Sequence, residues 1–185
     1  MSHLSILALP HLRRWFMLVT ALVFACLLGA CSKFDNAQNA HNGPQITAKV
    51  FDGTFKDING KIVDLSSLRG KTVVVNFWST WCPPCVEEMP MFNEAQQQWK
   101  DKGVVFVGIA ADQADNVKAF LKKTPVSYQI TVGGQDALDL SRALGNRYDA
   151  VPFTVMINPQ QSVTSRHFGI YTAKDLEADL AKATK

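Results

Sequence analysis

FWSTWCPPCVEEMP, residues 77–90, sets two cysteines three positions apart where an apolar, β-branched run gives way to a stretch that reads as helix. Immediately upstream, Lys71 to Trp78 carries Val73-Val74-Val75 at its centre and predicts a strand buried on both faces. Downstream, the helix should run to about Lys100, and Val104 to Ala110 reads as a second buried strand. Strand, helix and strand in that order predict a parallel pair joined by a right-handed crossover. Cys82 then falls at the strand-to-helix junction, with Cys85 one turn further on. Three roles suit such a pair: a structural staple, half a metal site or a redox couple.

Cysteine usage narrows the choice. The 185 residues contain four cysteines, at 26, 31, 82 and 85, and the first two lie in an apolar N-terminal stretch. One pair is left for the folded part, so no disulfide framework is in view. A disulfide closing so short a loop removes little chain entropy, which weakens the staple reading. A metal site needs two more ligands. Besides carboxylates, the chain beyond its N-terminal segment offers only His41, in a polar tether, and His167, which reads as an ordinary strand residue. No metal is expected. The first turn of a helix, by contrast, presents unsatisfied N–H groups and a dipole that favour a thiolate, the species that attacks disulfides.

Working outward towards the C-terminus, Val117, Phe120 and Leu121 mark one amphipathic helix and Tyr128 to Val132 a short strand. Leu138, Leu140 and Leu144 mark a second helix, closed by Gly145. Phe153 to Ile157 and Val163 to Phe168 predict a hairpin around Asn158-Pro159. After Gly169, Thr172 and Asp175 fit a capping box that opens a last helix with Leu176 and Leu180 facing inward. Towards the N-terminus, Phe51 to Ile58 and Lys61 to Leu65 predict a hairpin closed by Asn59-Gly60, a pair that tolerates the positive φ of a two-residue turn.

Further out, Arg13 and Arg14 precede an apolar run from Trp15 to Leu28, short of the roughly 20 residues of a membrane span. This is the anatomy of an export signal. Arg13-Arg14-Trp15-Phe16-Met17 is similar to a twin-arginine signal, but Leu12 replaces the usual polar residue before the pair, which favours general secretion. Leu28-Gly29-Ala30-Cys31 resembles a bacterial lipobox. That resemblance implies removal of residues 1–30 and acylation of Cys31; an unlipidated signal peptide or a short anchor helix is the alternative. Residues 31–43 would be the lipidated cysteine and a polar tether, and 44–185 a single domain. Without Arg13 and Arg14 the 19 basic residues become 17 against 16 acidic ones, so nucleic acid is not an expected partner.

WCPPC followed by Glu88 and Pro90 resembles the WCxPCxxExP signature of the TlpA/ResA/CcmG-like thiol:disulfide oxidoreductases of the thioredoxin superfamily, with the likeness running from roughly Pro44 to Lys185. The resemblance implies an α/β thioredoxin fold with an N-terminal β-hairpin extension and a central helix-strand insertion at about 114–132. It implies Cys82 as nucleophile, Cys85 as resolving thiol and Trp81 as a cover over the pair. Val151-Pro152 fits the cis-proline that packs beside the active site in that superfamily and frees backbone groups to bind substrate. Asn76 stands where thioredoxins proper have a buried aspartate, so the role of proton acceptor passes to Glu88. Glu88 shares a helix face with Cys85 at i+3; the alternative is an exposed charge. No cofactor is implied beyond a redox-active Cys82–Cys85 disulfide.

The resemblance also implies a setting: a periplasm-facing lipoprotein of the bacterial cell envelope. Ser32 after the lipid cysteine leans towards the outer membrane. Electrons would come from a membrane thiol-reducing system, and substrates would be disulfide-bearing envelope proteins of cytochrome c or oxidase maturation.

Residues between the cysteines bear on direction. Pro83 and Pro84 lack N–H groups, so the nearest donor to a Cys82 thiolate is the amide of Cys85. A less stabilised thiolate makes a more reducing pair, and an ionised Glu88 pushes the same way. Two other classes remain open: a copper or haem-site chaperone using the cysteines as ligands, and a thiol peroxidase. Thr80, two rather than three positions before Cys82, argues against the peroxidase.

Overall fold

The computed structural model describes residues 42–185; the readings placed on the signal segment, Cys26, Cys31, His41 and most of the 31–43 tether lie outside the described residues. In chain order the elements are α1 (Pro44–Phe51), β1 (Phe55–Lys56), β2 (Ile62–Val63), β3 (Thr72–Trp78), α2 (Pro83–Trp99), β4 (Val104–Ala110), α3 (Ala114–Lys123), β5 (Gln129–Val132), α4 (Gly134–Ala143), β6 (Phe153–Ile157), β7 (Val163–Phe168) and α5 (Ala173–Ala183). The strands form one sheet in the order β2-β1-β5-β4-β3-β6-β7. None of the described helices is long and apolar enough to cross a membrane.

Central β3 is buried along its whole length, as its valine-rich run requires. It pairs in parallel with β4, on the far side of the α2 crossover, and antiparallel with β6. Because side chains alternate across a strand, Val73, Val75 and Phe77 join Val107, Ile109, Val155 and Leu140 in one cluster. Val74 and Trp78 join Phe92, Phe106, Leu176 and Leu180 in the other. Asn76 falls by the same alternation on the α2 face, where a polar residue needs a partner. The inserted α3 and β5 extend the sheet in parallel beyond β4. The β6–β7 hairpin and the Thr172 cap of α5, whose hydroxyl accepts from the Asp175 N–H at 3.2 Å, stand where expected.

The N-terminal part departs from expectation. Phe51 belongs to α1, not to a strand, because Thr47, Val50 and Phe51 bury one helical face and Pro44 suits the first turn. The chain then turns at Gly53, where an added Cβ would lie 2.6 Å from the Lys49 carbonyl oxygen. What is left of the hairpin is short, and its loop is longer than a two-residue Asn-Gly turn. Phe55 pairs with Val63, and the inner pair is Lys56 with Ile62. Between them, Asp57 Oδ1 accepts the N–H groups of Asn59 at 2.8 Å and Lys61 at 2.9 Å, while Gly60 takes φ +81°. A side chain that caps its own turn competes with the tight Asn-Gly geometry.

Candidate active site

Cys82 is the N-cap of α2, and Pro83 and Pro84 fill its first positions. Prolines are tolerated there because those N–H groups have no intrahelical acceptor. With both donors removed, the first amide that reaches back is that of Cys85, 3.3 Å from Cys82 Sγ. The two cysteines are joined in a disulfide, S–S 2.13 Å. On its other side Cys82 Sγ lies 3.5 Å from the Val151 carbonyl oxygen. The Val151–Pro152 peptide is cis. Cys85 is wholly buried, and Cys82 retains 3% exposure.

Trp81, expected as a cover, is 68% exposed and so stands at the surface beside Cys82, without the core packing that would hold a lid down. Tyr148, ahead of the Val151-Pro152 segment, and Ile170, after β7, are also exposed.

Glu88 is buried at 1% exposure, not a surface charge. Its Oε1 accepts from Asn76 Nδ2 at 2.9 Å and its Oε2 from the Tyr171 N–H at 3.1 Å. Asn76 donates its other proton to Thr154 Oγ1 at 3.0 Å. Burial pushes the Glu88 carboxyl up to about 7, against the pull of the Tyr171 amide and the Asn76 side chain. Asn76 therefore has a partner: it ties a carboxylate on α2 to β3 and β6. A carboxyl with that affinity for protons both accepts and returns one near neutrality.

Sequence reasoning missed three participants. Asp112, just past β4, takes the N–H and hydroxyl of Thr80 and the hydroxyl of Ser79. Tyr171 reaches Glu88 through its backbone, so no side-chain pattern pointed to it. Thr154 looked like ordinary strand sequence. Only the polar cluster Asp112-Gln113, directly after a buried apolar strand, carried a readable signal.

Residues 44–182 match the family model described as Redoxin. The thiol-disulfide oxidoreductase ResA of Bacillus cereus is 34% identical over 143 residues, covering 76% of this chain and 79% of that one. Among solved structures, a thioredoxin-related protein from Neisseria meningitidis serogroup B is 34% identical, with a TM-score of 0.58 over 70% of this chain and 95% of that one. A thiol:disulfide interchange protein of the thioredoxin family from Chlorobium tepidum TLS is 30% identical, with a TM-score of 0.61 over 71% and 92%. With a disulfide at a helix N-terminus beside a cis-proline, on a thioredoxin-type sheet, the chain belongs to the redoxin family, as a thiol:disulfide oxidoreductase of the ResA/CcmG-like kind within the thioredoxin superfamily.

Proposed function

We propose that the protein is an exported, lipid-anchored reductase that opens disulfides in other proteins of the bacterial envelope. The observation that supports this direction is the setting of Cys82 Sγ. Among the described residues it has one N–H donor, from Cys85 at 3.3 Å, and faces a carbonyl oxygen, that of Val151, at 3.5 Å. A thiol can donate to that oxygen, whereas a thiolate is repelled by its lone pairs. The reduced form is thus denied the stabilisation that makes strong oxidants, and the pair leans towards giving electrons away.

In the proposed cycle the Cys82 thiolate attacks one sulfur of a substrate disulfide, and the other sulfur leaves as a thiolate that takes up a proton. Glu88 accepts the proton of Cys85. Cys85 then attacks Cys82 Sγ, the Cys82–Cys85 disulfide forms, and the second substrate sulfur leaves. Two electrons have passed to the substrate, and a membrane thiol-reducing system returns them. Val151, whose carbonyl faces the Cys82 sulfur, together with its cis-bonded neighbour Pro152 and with Trp81, the residue before Cys82, would receive the substrate segment. The lipobox-like run ending at Cys31 supports attachment to a membrane facing the periplasm, with Ser32 leaning towards the outer one. Relatives named thiol-disulfide oxidoreductase support disulfide-bearing proteins as the substrates, and the family resemblance of the WCPPC motif supports the cytochrome c or oxidase maturation class among them.

Trapping tests this. Cys85→Ser removes the thiol that breaks the mixed disulfide, so cells carrying it should accumulate reducible adducts with exported, cysteine-bearing proteins, visible on non-reducing gels and identifiable by mass spectrometry. Cys82→Ser should form none. Adducts of equal abundance in both variants would refute the assignment of roles.

A further inference from the structure

We propose that Asp112 is a positioning residue for the oxidoreductase reaction: it locks the turn that carries Trp81 and Cys82, and so fixes how the attacking sulfur meets a protein disulfide. The proposal rests on the reading of Cys82 as nucleophile.

Asp112 follows β4 by two residues and is buried, at 8% exposure. Among the described residues it makes no ion pair. A buried carboxylate without a cation must be satisfied by donors, and here there are five. Oδ2 accepts from Ser79 Oγ at 3.0 Å, from the Thr80 N–H at 3.0 Å and from Thr80 Oγ1 at 2.5 Å. Oδ1 accepts from the Gln113 N–H at 2.7 Å and from Asn116 Nδ2 at 2.9 Å. Three of the five come from the two residues that lead into Trp81-Cys82, and the other two anchor the carboxylate to the start of α3.

Ser79 to Cys82 is itself a turn, closed by the Cys82 N–H donating to the Ser79 carbonyl at 3.3 Å. Thr80 and Trp81 are its central residues. The Ala111 N–H donates to the Trp78 carbonyl at 2.8 Å, which registers the end of β3 against the same segment. Trp81 has little packing of its own, so its placement is inherited from the turn. Cys82 caps α2, so the turn also sets the approach of its sulfur to Val151. Small errors of placement slow a reaction whose atoms must meet in line. The bonds from Thr80, Asn116 and Gln113 outweigh the cost of burial and hold the Asp112 carboxyl at about 2. The clamp is therefore closed across the range in which Glu88 titrates, which separates the two residues experimentally.

The test compares Thr80→Val, which deletes one donor but keeps shape, with Thr80→Ser, which restores it, in the full chain. Three quantities are read: hydrogen-exchange protection of the Thr80 and Cys82 amides, the rate of insulin disulfide reduction, and the pH profile of iodoacetamide alkylation at Cys82. Thr80→Val should lower protection and slow insulin reduction by about tenfold, with the alkylation midpoint unchanged, and Thr80→Ser should restore both. Asp112→Asn should act in the same direction and more strongly; should it fail to fold, the Thr80 pair still decides. Wild-type protection and rate in Thr80→Val would overturn the proposal, as would a shifted alkylation midpoint, since Asp112 would then act through charge and not placement. Wild-type protein unreactive at Cys82 would overturn the nucleophile assignment and this proposal with it.

Discussion

Replacing Glu88 by Gln should abolish a pH dependence of stability that burial builds into the native protein. The carboxyl ionises near its ordinary value of 4.5 in the unfolded chain and near 7 in the fold. Between those values the folded protein keeps a proton that the unfolded chain has released, so the contribution of Glu88 to stability falls as pH rises from 4.5 to 7 and is level above and below. At about 1.4 kcal/mol per pH unit the loss comes to about 3 kcal/mol, undiscounted for screening because solvent barely reaches the side chain. Gln carries no charge and shows no such loss. Its oxygen can accept from the Tyr171 N–H in place of Oε2, and its NH2 group would face Asn76. Asn76 can answer by turning its amide, because Asn76 Oδ1 is buried with no partner among the described residues. That oxygen would then accept from the new amide and from the Thr154 hydroxyl. Urea unfolding of the oxidised proteins at a series of pH values measures the difference. Relative to wild type, Glu88→Gln should gain about 3 kcal/mol between pH 4.5 and 8. Parallel stability curves over that interval would refute the reasoning, since the carboxyl would then titrate alike in both states.

Four further outcomes are expected. Equilibration with glutathione should return a reduction potential nearer thioredoxin's roughly −270 mV than the roughly −120 mV of a strong oxidant, given the single amide at Cys82 Sγ. Cys31→Ala should leave the domain folded but shift the protein out of the detergent phase on partitioning, with no lipid mass on the corresponding peptide. Phe92→Ala, at a fully buried position whose ring packs on Phe106 and Tyr171, should cost roughly 3–5 kcal/mol in denaturant unfolding. Thr172→Ala removes the hydroxyl that caps α5 and should cost about 1 kcal/mol by the same measurement.

Strong local periodicity made most of the fold legible. Val104 to Ala110, the β6–β7 hairpin and the Thr172 cap could be read from short windows, because each is specified by apolar alternation, turn residues or a cap within a few positions. The α1 segment was missed because three buried residues in eight give a weak helical pattern, which becomes clear only against the face that receives Thr47, Val50 and Phe51. The hairpin turn was misjudged because Asp57 competes for the amides that an Asn-Gly turn leaves open.

The site divides in the same way. Two thiols at a helix start, the prolines that strip donors from between them, and a carboxylate three residues further along one helix face are all local, and the sequence by itself determined them. It did not determine that Glu88 would be sealed from solvent, because its burial depends on β3, β6 and the segment before α5 closing around it through Asn76 and Tyr171. Nor did it determine that Asp112, 30 residues from Cys82 in the chain, would hold the turn in front of that cysteine. A carboxylate's proton affinity and a turn's rigidity are set by which groups the fold brings within hydrogen-bonding distance from remote parts of the chain, and only the tertiary structure decides that.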